Sequence, residues 1–179
     1  QEIQILGNDI VTFTVQQDTL LYMDKQGIFW RKHLTTHEQE RLLYPQFAVQ
    51  LETQYLLFGN ETNLFLQEGN TLYKVRTGNS AEQLFDNVTA TSFSPDGKMV
   101  AIANGPEIWL YILQEQIVPI KRAAGERVFL NRFSAPVQNL SWINGAYLLF
   151  TTDEAVKIAE IDNRDTLNII DIASFASPS

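Results

Sequence analysis

Short apolar runs, many alternating with polar residues and most closed by turn formers, set the pattern of this chain. Val11, Phe13 and Val15 interleave with Thr12, Thr14 and Gln16, the period of two that marks a strand with one buried face. On this reading the three apolar side chains face inward. Val156 and Ile158 flank Lys157 in the same way. Residues 55–58, 108–113 and 147–150 are apolar on both faces, which suits strands covered on both sides. Between the runs stand turn signals such as Lys25-Gln26-Gly27, Pro95-Asp96-Gly97 and Asn144-Gly145, whose residue types favour tight reversals. Strands at intervals of about ten residues, each followed by a turn, predict an all-β protein. Two segments, Thr35-Thr36-His37-Glu38 and Ser80-Ala81-Glu82-Gln83, carry a helix capping pattern. Each runs out within a few residues, so both are read as hairpin connections holding at most one helical turn.

The hairpins repeat. Residues 19–30 align with 63–74, residues 99–111 form a third copy, and residues 147–158 a fourth. Ile28, Leu72, Ile108 and Val156 then occupy equivalent places, on average roughly 43 residues apart, the period of a four-stranded β-propeller blade. The expected architecture is therefore one all-β domain over residues 1–179, a propeller of about four blades or a partial ring, with repeats near 1–45, 46–87, 88–134 and 135–175. Glu2-Ile3-Gln4-Ile5-Leu6 is a spare strand, expected to complete the last sheet near residues 167–172. An incomplete ring would leave open edge strands and would be expected to form a homodimer.

Thr91-Ser92-Phe93-Ser94-Pro95-Asp96-Gly97-Lys98-Met99-Val100-Ala101-Ile102 resembles the turn between the first two strands of WD40-like and TolB-like propeller blades. Pro95 presets such a turn and Gly97 supplies a positive φ. Leu140-Ser141-Trp142-Ile143-Asn144-Gly145 is a degenerate copy, and Phe129-Leu130-Asn131-Arg132-Phe133-Ser134 is similar to the outer strand of TolB-type blades. Residues 156–170 resemble the end of the propeller in bacterial PEGA-domain proteins. That resemblance implies an extracytoplasmic or cell-surface protein whose anchor or signal lies outside this sequence. It supplies no catalytic residue at these positions.

Composition narrows the function. Asp and Glu number 21 against 13 Lys and Arg, for a net charge of −8, so a phosphate backbone would be repelled and no nucleic-acid partner is expected. The absence of cysteine excludes disulfides, thiolate zinc sites and cysteine nucleophiles. No apolar stretch approaches the roughly 20 residues of a membrane helix, so no direct membrane insertion is expected.

Candidate chemistry is sparse. His33 and His37 are four apart, a metal-binding spacing on a helix; here they fall at a strand end and a turn, and no metal is expected. No G-x-S-x-G elbow occurs, and no catalytic residue or cofactor is assigned. The densest polar set is Asp162, Arg164 and Asp165 beside Glu160. Its plain reading is a solvated hairpin in which Asp162 and Asn163 bond the turn backbone and Arg164 pairs with a neighbour; its functional reading is a weak calcium contact, for which the glycine and terminal glutamate of a calcium loop are missing, or a partner contact. Phe29-Trp30, Tyr73 and Trp109 fall at near-equivalent places in three repeats, either filling wedge-shaped gaps between blades or, at Trp30 and Trp109, presenting rings to a ligand. The expected function is a non-enzymatic protein-binding or scaffolding module with an unknown protein partner. The alternatives are a carbohydrate- or cell-wall-binding module using exposed aromatics, and an accessory propeller domain of a larger enzyme.

Overall fold

A computed structural model describes residues 9–78, 81–116, 121–162, 164 and 166–175. Among these there is no helix, and sixteen strands form four sheets of four. Each sheet is antiparallel and its strands lie side by side in chain order. This is an all-β organisation consistent with a four-blade, propeller-like fold. The chain divides into two compact units, Gln1–Asp86 and Asn87–Ser179, each holding two sheets.

The first unit contains β1 (Ile10–Gln16), β2 (Thr19–Asp24), β3 (Phe29–His33) and β4 (Gln39–Arg41), then β5 (Tyr55–Gly59), β6 (Leu64–Glu68), β7 (Thr71–Val75) and β8 (Ala81–Phe85). Its core joins Leu21, Met23 and Phe29 of the first sheet to Leu57, Leu64, Leu66 and Val75 of the second. The turn from β2 to β3 is organised by Asp24, whose carboxylate accepts the N–H groups of Gln26 (2.9 Å) and Ile28 (3.0 Å).

The second unit contains β9 (Val88–Phe93), β10 (Met99–Asn104), β11 (Glu107–Ile112) and β12 (Arg127–Arg132), then β13 (Gln138–Trp142), β14 (Tyr147–Thr151), β15 (Ala155–Glu160) and β16 (Ile169–Ser174). Met99, Ala101, Ile108 and Leu110 pack with Val137, Leu140, Leu148 and Phe150. Two polar ties bind its sheets together. The Trp142 indole donates to the Ser92 carbonyl at 3.0 Å, and the Thr89 hydroxyl donates to the Val137 carbonyl at 2.7 Å. The Ser94-Pro95-Asp96-Gly97 turn joins β9 to β10 as its residues require. The Asp96 carboxylate accepts the Ser94 hydroxyl (2.7 Å) and the Lys98 N–H (3.1 Å), while Ser94 Oγ accepts the Met99 N–H (2.9 Å).

Two expectations are corrected. β1 is a strand and Val11 packs half-buried against the core as expected, but beyond it the buried face is the opposite one: Thr12 is 7 % exposed, whereas Phe13 is 58 % and Val15 50 % exposed. A register shift in the pairing with β2 between Ile10 and Thr12 and a polar contact made by Thr12 turn that face inward. Residues 81–85, read as a connection, are β8. Ala81, Glu82 and Gln83 pair with Val75, Lys74 and Tyr73, and burial of Leu84 and Phe85 holds the strand down. Thr35-Thr36-His37-Glu38 is a hairpin connection between β3 and β4. The Glu2–Leu6 segment expected to complete the last sheet lies outside the described residues.

Candidate functional site

The loop leaving β15 is shaped by one ion pair. Asp162 Oδ1 accepts the Arg164 N–H at 3.2 Å, and Arg164 Nε donates to both carboxylate oxygens at 2.9 and 3.0 Å. Arg164 Nη2 also contacts Oδ2. Hydrogen bonds from the Arg164 side chain and backbone hold the Asp162 carboxyl below the usual carboxylate range, and the charges of Arg164 and Arg122 add to them. Asp162 thus stays ionised with its oxygens engaged, a poor candidate for proton transfer and a good fixed wall.

Facing this loop is a second small device. Beyond β11, Gln116 and Arg122 form an isolated antiparallel bridge, the Gln116 N–H donating to the Arg122 carbonyl at 3.0 Å and the Arg122 N–H to the Gln116 carbonyl at 2.9 Å. The bridge fixes both side chains at the end of their sheet. Arg122 is only 9 % exposed. The Gln116 side-chain amide nitrogen is buried and has no hydrogen-bond partner, a condition that costs about 1–3 kcal/mol when nothing relieves it.

Between the two devices lies a cavity of ≈ 140 Å³ lined by Met99, Leu110, Gln116, Arg122, Gly145, Ala146, Glu160, Ile161 and Asp162. Both sheets of the second unit contribute to it. Met99 and Leu110 give a buried apolar wall, while Gly145 and Ala146 form an exposed rim. The turn carrying that rim is set by Asn144, whose Oδ1 accepts the N–H groups of Ala146 (2.8 Å) and Tyr147 (3.1 Å). The arrangement can hold a small group that has an apolar body and a polar tip.

The residues singled out from the sequence separate here. Asp162 lines the cavity and Arg164 braces it; Asp165 lies outside the described residues. Trp30 stacks on Tyr22 with centroids 6.5 Å apart and donates its indole N–H to Asp24 Oδ2 at 2.7 Å. Trp109 packs edge-on against Phe129 at 5.1 Å and donates to Glu107 Oε2 at 2.8 Å. The two indoles belong to different units and neither lines the cavity. His37, at φ 61°, donates its N–H to the His33 carbonyl at 3.0 Å, and no group of three or more metal-ligating side chains occurs among the described residues. Gln116 and Arg122 escaped the sequence reading because a two-residue bridge in a polar connection has no periodicity.

No protein-family model matches the chain, and no curated protein matches it. Solved structures do. The computationally designed Ika4 protein superposes with a TM-score of 0.55 at 13% identity, over 90% of this chain and 99% of that one. The extracellular domain of BT4673 from B. thetaiotaomicron gives 0.59 at 14% identity, over 97% of this chain and 23% of that one. The chain therefore spans under a quarter of the BT4673 domain. At such identities the likeness is one of fold: this chain shares its all-β arrangement with a designed protein and with part of an extracellular domain.

Proposed function

We propose that the chain is a non-enzymatic binding or scaffolding module and that the cavity of the second unit is its contact site. One observation carries the reading: a cavity of ≈ 140 Å³ that sets the apolar Met99 and Leu110 beside the charged Arg122, Glu160 and Asp162. A concave apolar surface with a few placed polar groups is the usual form of a binding site. Binding is favoured over catalysis because Arg164 occupies the Asp162 carboxylate in the cavity wall and holds it ionised. Action outside the cytoplasm is supported by the resemblance of residues 156–170 to PEGA-domain propellers, and the WD40-like or TolB-like relationship by the Ser94–Lys98 turn.

A photo-crosslinking residue, p-benzoylphenylalanine, in place of Gly145 tests the site. Gly145 has open space where a Cβ would lie. Specific protein adducts are expected at position 145 and not at the fully exposed Leu51; equal labelling at both positions would reject the cavity as the contact site.

A further inference from the structure

We infer that the fourth sheet, β13 to β16, docks a second copy of this chain through its outer face, and that the copy brings the outer face of its first sheet, β1 to β4. Two-fold symmetry makes the contact twice, each copy giving its fourth sheet and receiving on its first. The contact is face to face and is independent of what the cavity binds.

The fourth sheet has one covered face and one bare one. Leu140, Leu148, Phe150 and Ala159 enter the core of the second unit. Their neighbours along each strand point the other way. The pairing sets Ser141, Leu149, Ile158 and Ile170 in one row across the four strands, with Thr151, Val156 and Ala173 in the next. Ile172 stands at the register shift beside that second row. Ile170 and Ile172 are each 55 % exposed, and Leu149, Val156 and Ile158 are half-buried outside the core. A contiguous bare apolar surface of this kind marks an interaction site.

The first sheet has the matching face. Leu21, Met23 and Phe29 enter the core of the first unit. On the opposite side the register aligns Phe13, Tyr22, Trp30 and Arg41 in one row and Val15, Leu20, Lys32 and Gln39 in the next. Phe13 and Val15 stand exposed at its β1 end.

Charge chooses between the possible pairings. The first-sheet face carries Lys32 and Arg41, whereas the register places Glu160 beside Tyr147 at the end of the fourth-sheet face. None of the three has an ion-pair partner among the described residues. First on fourth sets cations against an acid, while either face on itself confronts like charges.

The chain's own sheets already stack in this manner. Thr12 of β1 meets Leu57 of β5, and Trp142 of β13 meets Ser92 of β9, so in each unit the first strand of one sheet lies on the first strand of the next. The fold also extends further in a single chain. The designed Ika8 protein superposes with a TM-score of 0.53 at 13% identity, over 85% of this chain and 46% of its own. Two copies of this chain would supply about the length that Ika8 holds in one.

Sedimentation velocity of the 179-residue chain over a dilution series tests the inference. A concentration-dependent species of twice the chain mass is expected. A monomer throughout, or masses that climb past two copies, overturns it. Ile170→Glu and Phe13→Glu each put a carboxylate on one face at an exposed position, so the monomer should keep its amide NMR dispersion. Each alone should weaken self-association at least about 30-fold, whereas Leu51→Glu, a change at a 99 % exposed position, should not. Mixing the two face variants should restore a dimer of intermediate affinity, because the intact fourth sheet of one meets the intact first sheet of the other. Phe13→Glu staying dimeric while Ile170→Glu does not would mean that the fourth sheet meets itself. That result, a dimeric Ile170→Glu, a mixture that fails to pair, or equal weakening by Leu51→Glu would each overturn the pairing.

Discussion

The Thr12 hydroxyl accepts a hydrogen bond from the Leu57 N–H at 2.9 Å, across 45 positions of sequence. The contact joins the first strands of the two sheets in the first unit and explains why β1 buries a threonine and exposes Phe13 and Val15. Thr12→Val keeps the shape of the side chain but strands the Leu57 N–H without its acceptor. It should lower stability by about 1–3 kcal/mol, read from urea unfolding. An unchanged midpoint would mean that the hydroxyl does not set the phase of β1.

Gly27 and Gly97 both have positive φ, 74° and 69°, but their surroundings differ. A Cβ at Gly27 would lie 1.8 Å from the Phe47 carbonyl oxygen, while one at Gly97 meets nothing within 4 Å. Phe47 cannot withdraw freely, because its N–H donates to the Gly27 carbonyl at 3.2 Å and its ring packs on Phe29 and Tyr73. Gly97→Ala should therefore cost only the left-handed conformation, about 1–2 kcal/mol. Gly27→Ala should cost at least about 3 kcal/mol, in the range reserved for disrupted packing. Equal costs in thermal unfolding would contradict the close approach.

The Asp96 carboxyl gives the fold a pH dependence. Burial alone would raise its pKa, but the Ser94 hydroxyl, the Lys98 N–H and the Lys98 charge outweigh burial and hold it below the ordinary value. A carboxyl depressed on folding contributes stability above its unfolded pKa and loses that contribution as pH falls through the folded one. Between about pH 5 and pH 3, the native chain should lose more stability than Asp96→Asn. Parallel pH profiles for the two would remove the turn as the source.

How much of this could be read from sequence follows from the range of the interactions. The β9–β10 turn was legible because Ser94, Asp96 and Lys98 supply its hydrogen bonds within five residues. The middle hairpins, β2–β3, β6–β7, β10–β11 and β14–β15, were legible because each pairs adjacent apolar runs. The inverted face of β1 was not, since its cause sits at Leu57. Nor was β8, whose opening Ala81-Glu82-Gln83 completes a helix capping pattern until Leu84 and Phe85 anchor the strand. Asp162 and Arg164 were legible as a turn pair, but the cavity they wall depends on Gln116 and Arg122, whose placement only the sheet arrangement fixes.

The tryptophans separate a packing role from sugar stacking. Trp30 donates to Asp24, a carboxylate 9 % exposed that also caps the β2–β3 turn. Trp30→Phe keeps a ring against Tyr22 but removes one donor from that buried charge, so it should cost about 1.5–3 kcal/mol. Glu107, the partner of Trp109, keeps Arg132 within 3.5 Å after the same change, so Trp109→Phe should cost less than about 1 kcal/mol. Both variants should crosslink through position 145 as the native chain does, because neither indole lines the cavity. If instead Trp109→Phe left stability intact and abolished retention on a glycan array, an aromatic sugar platform would displace the cavity as the binding surface of this chain.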